Sequence, residues 1–451
     1  MNASNPLSTA PIKSLFFKYY IPTLTSIASV LLHQVVNGLI LSRQVGKEGI
    51  AAVGLYGSVL MVFTALNLPI LIGGGILIGK NIGAGNYQKA QQVFRFATTI
   101  GLVLGFMAVL LAPFIVTPIA RFLAGNENTE IIKSTSDYMF WQFMGLPFFC
   151  IRIFWGNFVA NDNAPKASRN AAVLAVVINL LLDFLLIIVF PFGVTGASIA
   201  TTLAIFGGAL YLFFHIKKGQ GHLTLNGFRL TIRLQEWREL LNLGLPSFAS
   251  EIAFSTGLLV INRSVVPYGQ SAVAAFGIIN YMSFIFIRLF TSAMIASLTI
   301  ISFNMGAKLP GRVLETLHFG LGFTLILGFV VTGVGFAIPD LLVSLFSGDE
   351  PEAFQREAGH ALKIYFLLFL ATGPNFILAA YFQSIGKSVV SILINISKGG
   401  VLIAFFAFLL PRWFGLDGIW LARGLAEIGT LLLVAMFSVL NWKKYYVETA
   451  I

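Results

Sequence analysis

The sequence predicts an all-α integral membrane protein with twelve transmembrane helices in two parallel six-helix repeats. Three observations carry that prediction. The 451 residues are 57% hydrophobic and only 10% charged, whereas a soluble domain carries about 25% charged residues. Apolar runs of about 20 residues, enough to cross the hydrocarbon core, recur along the whole chain. The second half repeats the first, with Glu48 opposite Ser271 and Asn81 opposite Asn304. So few charges cannot cover a water-facing surface. This excludes an ordinary cytosolic enzyme, a disordered chain and a nucleic-acid-binding domain. The net charge of +11 reads as loop cations that set orientation, because no basic cluster is interleaved with stacking aromatics in a polar segment.

The spans are expected near 17–42, 51–79, 96–118, 136–160, 170–190 and 195–216, then 240–266, 271–302, 316–338, 358–382, 388–410 and 417–440. They must be helices, because lipid offers backbone groups no partners. The first carries Pro22, His33, Gln34 and Asn37, and no A-x-A-like site follows a short apolar region, so it is expected to stay as a membrane helix. Pro69, Pro113 and Pro147 fall in spans two to four and bend or weaken them. The fourth also holds the only cysteine, Cys150, which forbids an intrachain disulfide and gives no thiolate metal site. The fifth and sixth hold Asn179, Asp183, Ala197 and Thr201. A polar stretch from Lys217 to Glu239 follows and reads as a cytoplasmic linker. This divides the chain into a six-helix half at 1–216, a linker at 217–239 and a second six-helix half at 240–451. Pro246 and Glu251 lie in the seventh span, Arg288 in the eighth, Lys363 and Pro374 in the tenth, Lys398 in the eleventh, Arg423 and Glu427 in the twelfth.

Orientation follows from lysine and arginine. With the N-terminus inside, seventeen loop cations, among them Lys80, Lys89, Arg95, Arg233, Lys308, Arg312, Lys443 and Lys444, fall on one side. Seven, from Arg43 to Arg412, fall on the other. Both termini are therefore expected in the cytoplasm. The repeats share further landmarks. Ile21-Pro22 lines up with Leu245-Pro246, Asn81-Ile-Gly-Ala84 with Asn304-Met-Gly-Ala307, Lys89 with Arg312, and Gly193-Val-Thr-Gly196 with Gly415-Leu-Asp-Gly418. Six spans per unit is even, so the repeats insert in the same sense, and substrate is expected between two such lobes.

Charges in hydrocarbon are costly and are retained mainly for function. Asp183 is the strongest such signal, with Asn179 one turn earlier on the same face. Ala197 and Thr201 share a face of the next span. By the helical rise, Asp183, Thr201 and Asn37 all fall roughly 10 Å below the outer boundary. These residues are expected to form one oxygen-rich site for a proton or a sodium ion. Glu251, His33, Gln34, Arg423 and Glu427 are candidates for the substrate cavity, although Arg423 and Glu427, four apart, can also form a local ion pair. The glycines of Gly74-x-x-x-x-Gly79-Lys-Asn81 read as helix packing, because the pattern lacks the Ser or Thr of a phosphate loop and no strand precedes it. No zinc, calcium or nucleophile–histidine–acid pattern is present, so no resident metal, cofactor or enzymatic activity is expected.

Several of these segments resemble the multidrug and toxic-compound extrusion (MATE) family. The likeness is carried by Ile78-Gly-Lys-Asn-Ile-Gly-Ala-Gly-Asn-Tyr-Gln-Lys-Ala90, by Asn179-x-x-x-Asp183 with Gly196-Ala-Ser-Ile-Ala-Thr201, by Gln383-Ser-Ile-Gly-Lys387 and by Phe414-Gly-Leu-Asp-Gly-Ile-Trp-Leu421. It implies a V-shaped two-lobe transporter with alternating access. It also implies a secondary antiporter of the bacterial inner membrane, working as one chain, that exports organic, cationic or amphipathic compounds in exchange for protons or sodium. The family's cation site maps onto Asn179, Asp183, Ala197 and Thr201. Two departures stand out. Asn37 occupies the first-span position where the family has an aspartate, and Gly373-Pro-Asn375 stands where some branches carry an acid. A lipid-linked precursor flippase of the same superfamily is the alternative, kept open by Arg152, Arg288, Lys398 and Arg423.

Overall fold

The computed structural model describes residues 5–125, 128–231, 234–347 and 350–440. Arg233, Lys443 and Lys444, counted above for orientation, lie outside them. Twelve helices are long and apolar enough to cross a membrane. They are α1 (Ile12–Gln44), α2 (Lys47–Gly83), α3 (Tyr87–Ala124), α4 (Thr129–Asn161), α5 (Pro165–Val189) and α6 (Gly193–Lys217), followed by α7 (Leu234–Val265), α8 (Gln270–Gly306), α9 (Pro310–Ala337), α10 (Glu352–Ser384), α11 (Ser388–Phe414) and α12 (Leu416–Leu440). Number and order match the expected spans. Several helices run past the apolar boundary, and side chains cap α3 and α4 at their starts. The Asn86 carboxamide oxygen accepts from Lys89 N at 3.1 Å and starts α3 at Tyr87. The last turn of α5 (Phe184–Val189) and a turn within α11 (Ser397–Val401) are π-helical.

Two compact units divide the chain, an N-unit of Ile21–Gly244 and a C-unit of Met1–Tyr20 with Leu245–Ile451. Both boundaries fall inside a helix, one or two residues before Pro22 in α1 and Pro246 in α7. The contacts explain the membership. In the C-unit, Arg312 at the start of α9 donates to the carbonyls of Ala10 (2.7 Å) and Leu7 (3.2 Å). Phe16, Phe17 and Tyr20 pack their rings edge-on against Phe323. In the N-unit, Lys89 at the repeat-equivalent position pairs with Glu239 at 3.0 Å, and Phe96 packs edge-on against Trp237. The early turns of each repeat's first helix are thus held by the third helix of a repeat to which they do not belong in sequence.

The 217–231 segment is strapped to the N-unit. Gln91 exchanges two hydrogen bonds with Thr224 (2.6 and 3.0 Å), and Thr231 N donates to Thr99 Oγ1 at 3.1 Å. Asp162, which ends α4, accepts from the backbone N–H groups of His222 (2.7 Å) and Leu223 (2.9 Å). Its other oxygen lies 2.7 Å from His222 Nδ1, and the imidazole stacks on Tyr87. The Asp162 hydrogen bond raises the His222 pKa above its ordinary value. A group raised on folding contributes stability that is complete below its unfolded pKa and lost as pH rises through the folded one. Backbone amides at 220–224 are therefore expected to be better protected from hydrogen exchange at pH 6 than at pH 8.5, after correction for intrinsic rates. His215 is also within electrostatic reach of Asp162, so the same comparison on His222→Gln isolates the ring. Equal protection at both pH values in the parent chain would contradict this account.

Candidate functional site in the N-unit

Asp183 ends the α-helical part of α5, at the junction with the π turn, and is 0% exposed. The glycine in the first turn of α6 brings the neighbouring helix to it. A Cβ on Gly196 would collide with the Leu186 backbone of that turn, so only glycine lets α6 approach this closely. The approach carries Thr201 to Asn179. With its amide oriented so that both ends are satisfied, Asn179 donates to Asp183 Oδ2 at 2.8 Å and to His33 Nε2. Its oxygen lies 3.0 Å from Thr201 N and 3.3 Å from Thr201 Oγ1. The Thr201 hydroxyl also reaches the Ala197 carbonyl at 3.0 Å. Accepting at Nε2 places the imidazole proton of His33 on Nδ1.

The site therefore gathers Asp183, Asn179, Thr201, Ala197 and His33. Asp183 Oδ1 is buried without a hydrogen-bond partner, and no ion pair among the described residues includes Asp183. Asn37 is also buried with its Oδ1 unpartnered, but it makes no hydrogen bond to Asp183. Gln34 is exposed. One member is absent from the expected set: Tyr138 of α4, 4% exposed, stands beside Thr201, Gln142 and Asp183. Its only signal in sequence is the Tyr138–Gln142 spacing of four, which puts two polar tips on one face of the span.

The comparisons with known proteins cover nearly the whole chain. The MatE family model matches residues 22–185 and again 246–409, so the matched stretches begin and end 224 residues apart (22 to 246, 185 to 409). The chain belongs to the MATE family. It is 24% identical over 430 residues to the multidrug export protein MepA of Staphylococcus aureus (strain NCTC 8325 / PS 47), covering 94% of each chain. MepA of Staphylococcus saprophyticus is 25% identical over 414 residues, 88% of this chain and 90% of its own. The fold is that of solved MATE transporters. One in a bent conformation superposes with a TM-score of 0.88 at 19% identity, covering 98% of this chain and 97% of its own. An outward-facing multidrug resistance MATE transporter gives 0.87 at 20% identity and 97% of each chain. These matches do not favour the lipid-linked precursor flippase.

The remaining charged candidates of this MATE-family chain fall in both units. Arg152 lies in the N-unit, over the Phe149 ring at 5.9 Å, with a buried Nε that finds no partner. In the C-unit, Glu251 and Arg288 are within electrostatic reach but form no ion pair, and Arg288 sits over Phe284 at 4.0 Å. The local Arg423–Glu427 ion pair that their spacing allows does not form. Arg423 Nη1 donates instead to the Tyr365 hydroxyl at 2.8 Å, and Glu427 Oε2 accepts from Asn375 at 2.7 Å. Partners on α10, more than fifty residues away, outcompete the neighbour one turn away.

Proposed function

We propose that this MATE-family protein is a secondary antiporter that exports small cationic or amphipathic organic compounds in exchange for protons or sodium ions. Asp183 gains and loses the ion. One observation carries the reading: a fully buried carboxylate with one oxygen free, no cation paired with it, and an amide–hydroxyl–imidazole network holding its other oxygen in place. Structural acids in hydrocarbon pair with cations. An acid left with an open oxygen is poised to take a small cation from outside. The unpartnered Asn37 Oδ1 of α1 offers a second neutral oxygen of the kind that sodium accepts.

Binding a proton or sodium removes the cost of the buried negative charge. The ion shifts the equilibrium between outward- and inward-open states only by its differential affinity for the two. The place to absorb that shift is Pro22, where α1 passes from one compact unit to the other and a backbone hydrogen bond is already missing. Solved MATE structures of this fold include one in a bent and one in a straight conformation. The multidrug export role of the MepA relatives supports outward transport of varied compounds. Both termini are assigned to the cytoplasm and the chain to the bacterial inner membrane, acting as a single polypeptide.

Purified protein in proteoliposomes, given proton and sodium gradients one at a time with cationic, neutral and anionic dyes, tests the proposal. Uphill movement of a cationic or amphipathic dye under one of the two gradients is expected. Movement under neither gradient, with oriented and folded protein in the vesicles, overturns it.

A further inference from the structure

The C-unit contains a buried charged cluster that the exchange reading leaves unused. Lys398, in the π turn of α11, and Arg423 and Glu427, one turn apart on α12, are each 5% exposed. Lys398 Nζ lies 3.6 Å from the centroid of the Phe376 ring and has no hydrogen-bond acceptor among the described residues. Arg423 uses one N–H on the Tyr365 hydroxyl and faces the rings of Phe254 (5.0 Å) and Tyr365 (5.7 Å). Glu427 takes its hydrogen bond from Asn375 and pairs with neither cation within 4.0 Å. Two buried cations therefore share one carboxylate, which leaves an excess of one positive charge.

The placement within the repeat is informative. With Gly196 aligned to Gly418, Arg423 occupies the position of Thr201. The cluster draws on α7, α10, α11 and α12, the equivalents of α1, α4, α5 and α6, which build the N-unit site. The same duplicated frame presents a lone acid in one unit and a surplus cation in the other.

We propose that the Lys398–Arg423–Glu427 cluster binds a monovalent anion through the Lys398 ammonium and the free N–H groups of Arg423. Glu427, within electrostatic reach of Lys398, offsets one of the two buried positive charges; the excess calls for a counter-ion, and aromatic faces compensate it only in part. The ring faces of Phe254 and Phe376 hold the cations and are themselves electronegative, so chloride or an organic carboxylate is bound through the N–H groups alone. Glu427 sets the selectivity: it leaves room for one negative charge and repels a dianion. This site uses none of the residues around Asp183 and does not depend on its role.

The test uses the full chain in lipid nanodiscs with radiolabelled chloride, radiolabelled benzoate and sulfate as competitor. Saturable binding of chloride or benzoate is expected, with sulfate a poor competitor. Chloride binding assigns a free inorganic ion, and benzoate binding without chloride assigns a substrate carboxylate. Lys398→Met is expected to weaken binding by about tenfold or more, the loss of one charge-assisted hydrogen bond, and Lys398→Arg to retain it. Asp183→Asn is expected to bind the anion normally, which separates failure here from failure of the exchange reading. Should Lys398→Met not fold, crystals of the parent chain grown in sodium bromide decide: an anomalous peak beside Lys398 supports the site. No saturable binding of either anion, undiminished binding in Lys398→Met, equal competition by sulfate, or no such peak overturns it.

Discussion

Asp183→Asn is expected to reduce ion-driven dye accumulation to the level of protein-free vesicles while the protein still inserts and folds. The substitution is nearly isosteric. Asparagine keeps a polar end for the Asn179 amide, which lies 2.8 Å from the native carboxylate, so the network that orients α5 against α6 survives. What disappears is the capacity to be charged in one state and neutral in the other. A ligand moves a two-state equilibrium only through differential affinity, and a hundredfold population change each way needs about 5.5 kcal/mol of it. A neutral amide cannot take up a proton and holds sodium weakly, so that differential vanishes. Dye binding to the detergent-solubilised variant should stay within about threefold of the parent, since removing coupling need not remove substrate contacts. Normal coupled accumulation by a correctly inserted variant sinks the assignment.

The core of this site was legible because hydrocarbon makes an acid conspicuous. One aspartate in an apolar run, an asparagine one turn back and a threonine in the next span are enough to place three residues on facing helices. Tyr138 was not legible. An aromatic in a membrane span is read as lipid- or core-facing, and only the three-dimensional approach of α4 shows its hydroxyl end beside Thr201. His33 sat between readings, since the sequence cannot tell which way a helix of low amphipathicity turns its face.

The C-unit shows the opposite limit. The Arg423–Glu427 spacing invites a local pair, but local geometry sets only what can meet. Asn375 and Tyr365 win because they lie across a buried interface, where a fixed neutral partner satisfies a charge without ordering two long side chains against each other. The crossing of helices between units was invisible too. α1 reads as one apolar span, and nothing in that run says that its first turns are held by the Phe319–Phe323 face of α9.

Two alanine substitutions at helical glycines are expected to move stability in opposite directions. Gly244 lies in the early turns of α7, and an added Cβ there would overlap the Pro69 backbone of α2. Reciprocally, a Cβ on Gly73 would meet the Leu240 carbonyl. The two backbones therefore touch with no side chain between them, and neither neighbour is a flexible tip that could give way. Gly244→Ala must separate the helices and is expected to cost about 1–3 kcal/mol or more. A Cβ on Gly277 in α8 would meet nothing within 4 Å, so Gly277→Ala removes unfolded-state freedom at no steric cost and should gain roughly 0.5–1 kcal/mol. Thermal denaturation in detergent, followed by size-exclusion fluorescence, reads both. A Gly244→Ala protein as stable as the parent would mean that α2 and α7 do not cross backbone to backbone. The division of α7 would then lose its cause, because this crossing fastens the helix to the N-unit only as far as Gly244. Pro246, two residues on, begins the part that packs with the C-unit, so the glycine contact sets where the helix changes allegiance and the proline makes that point yielding.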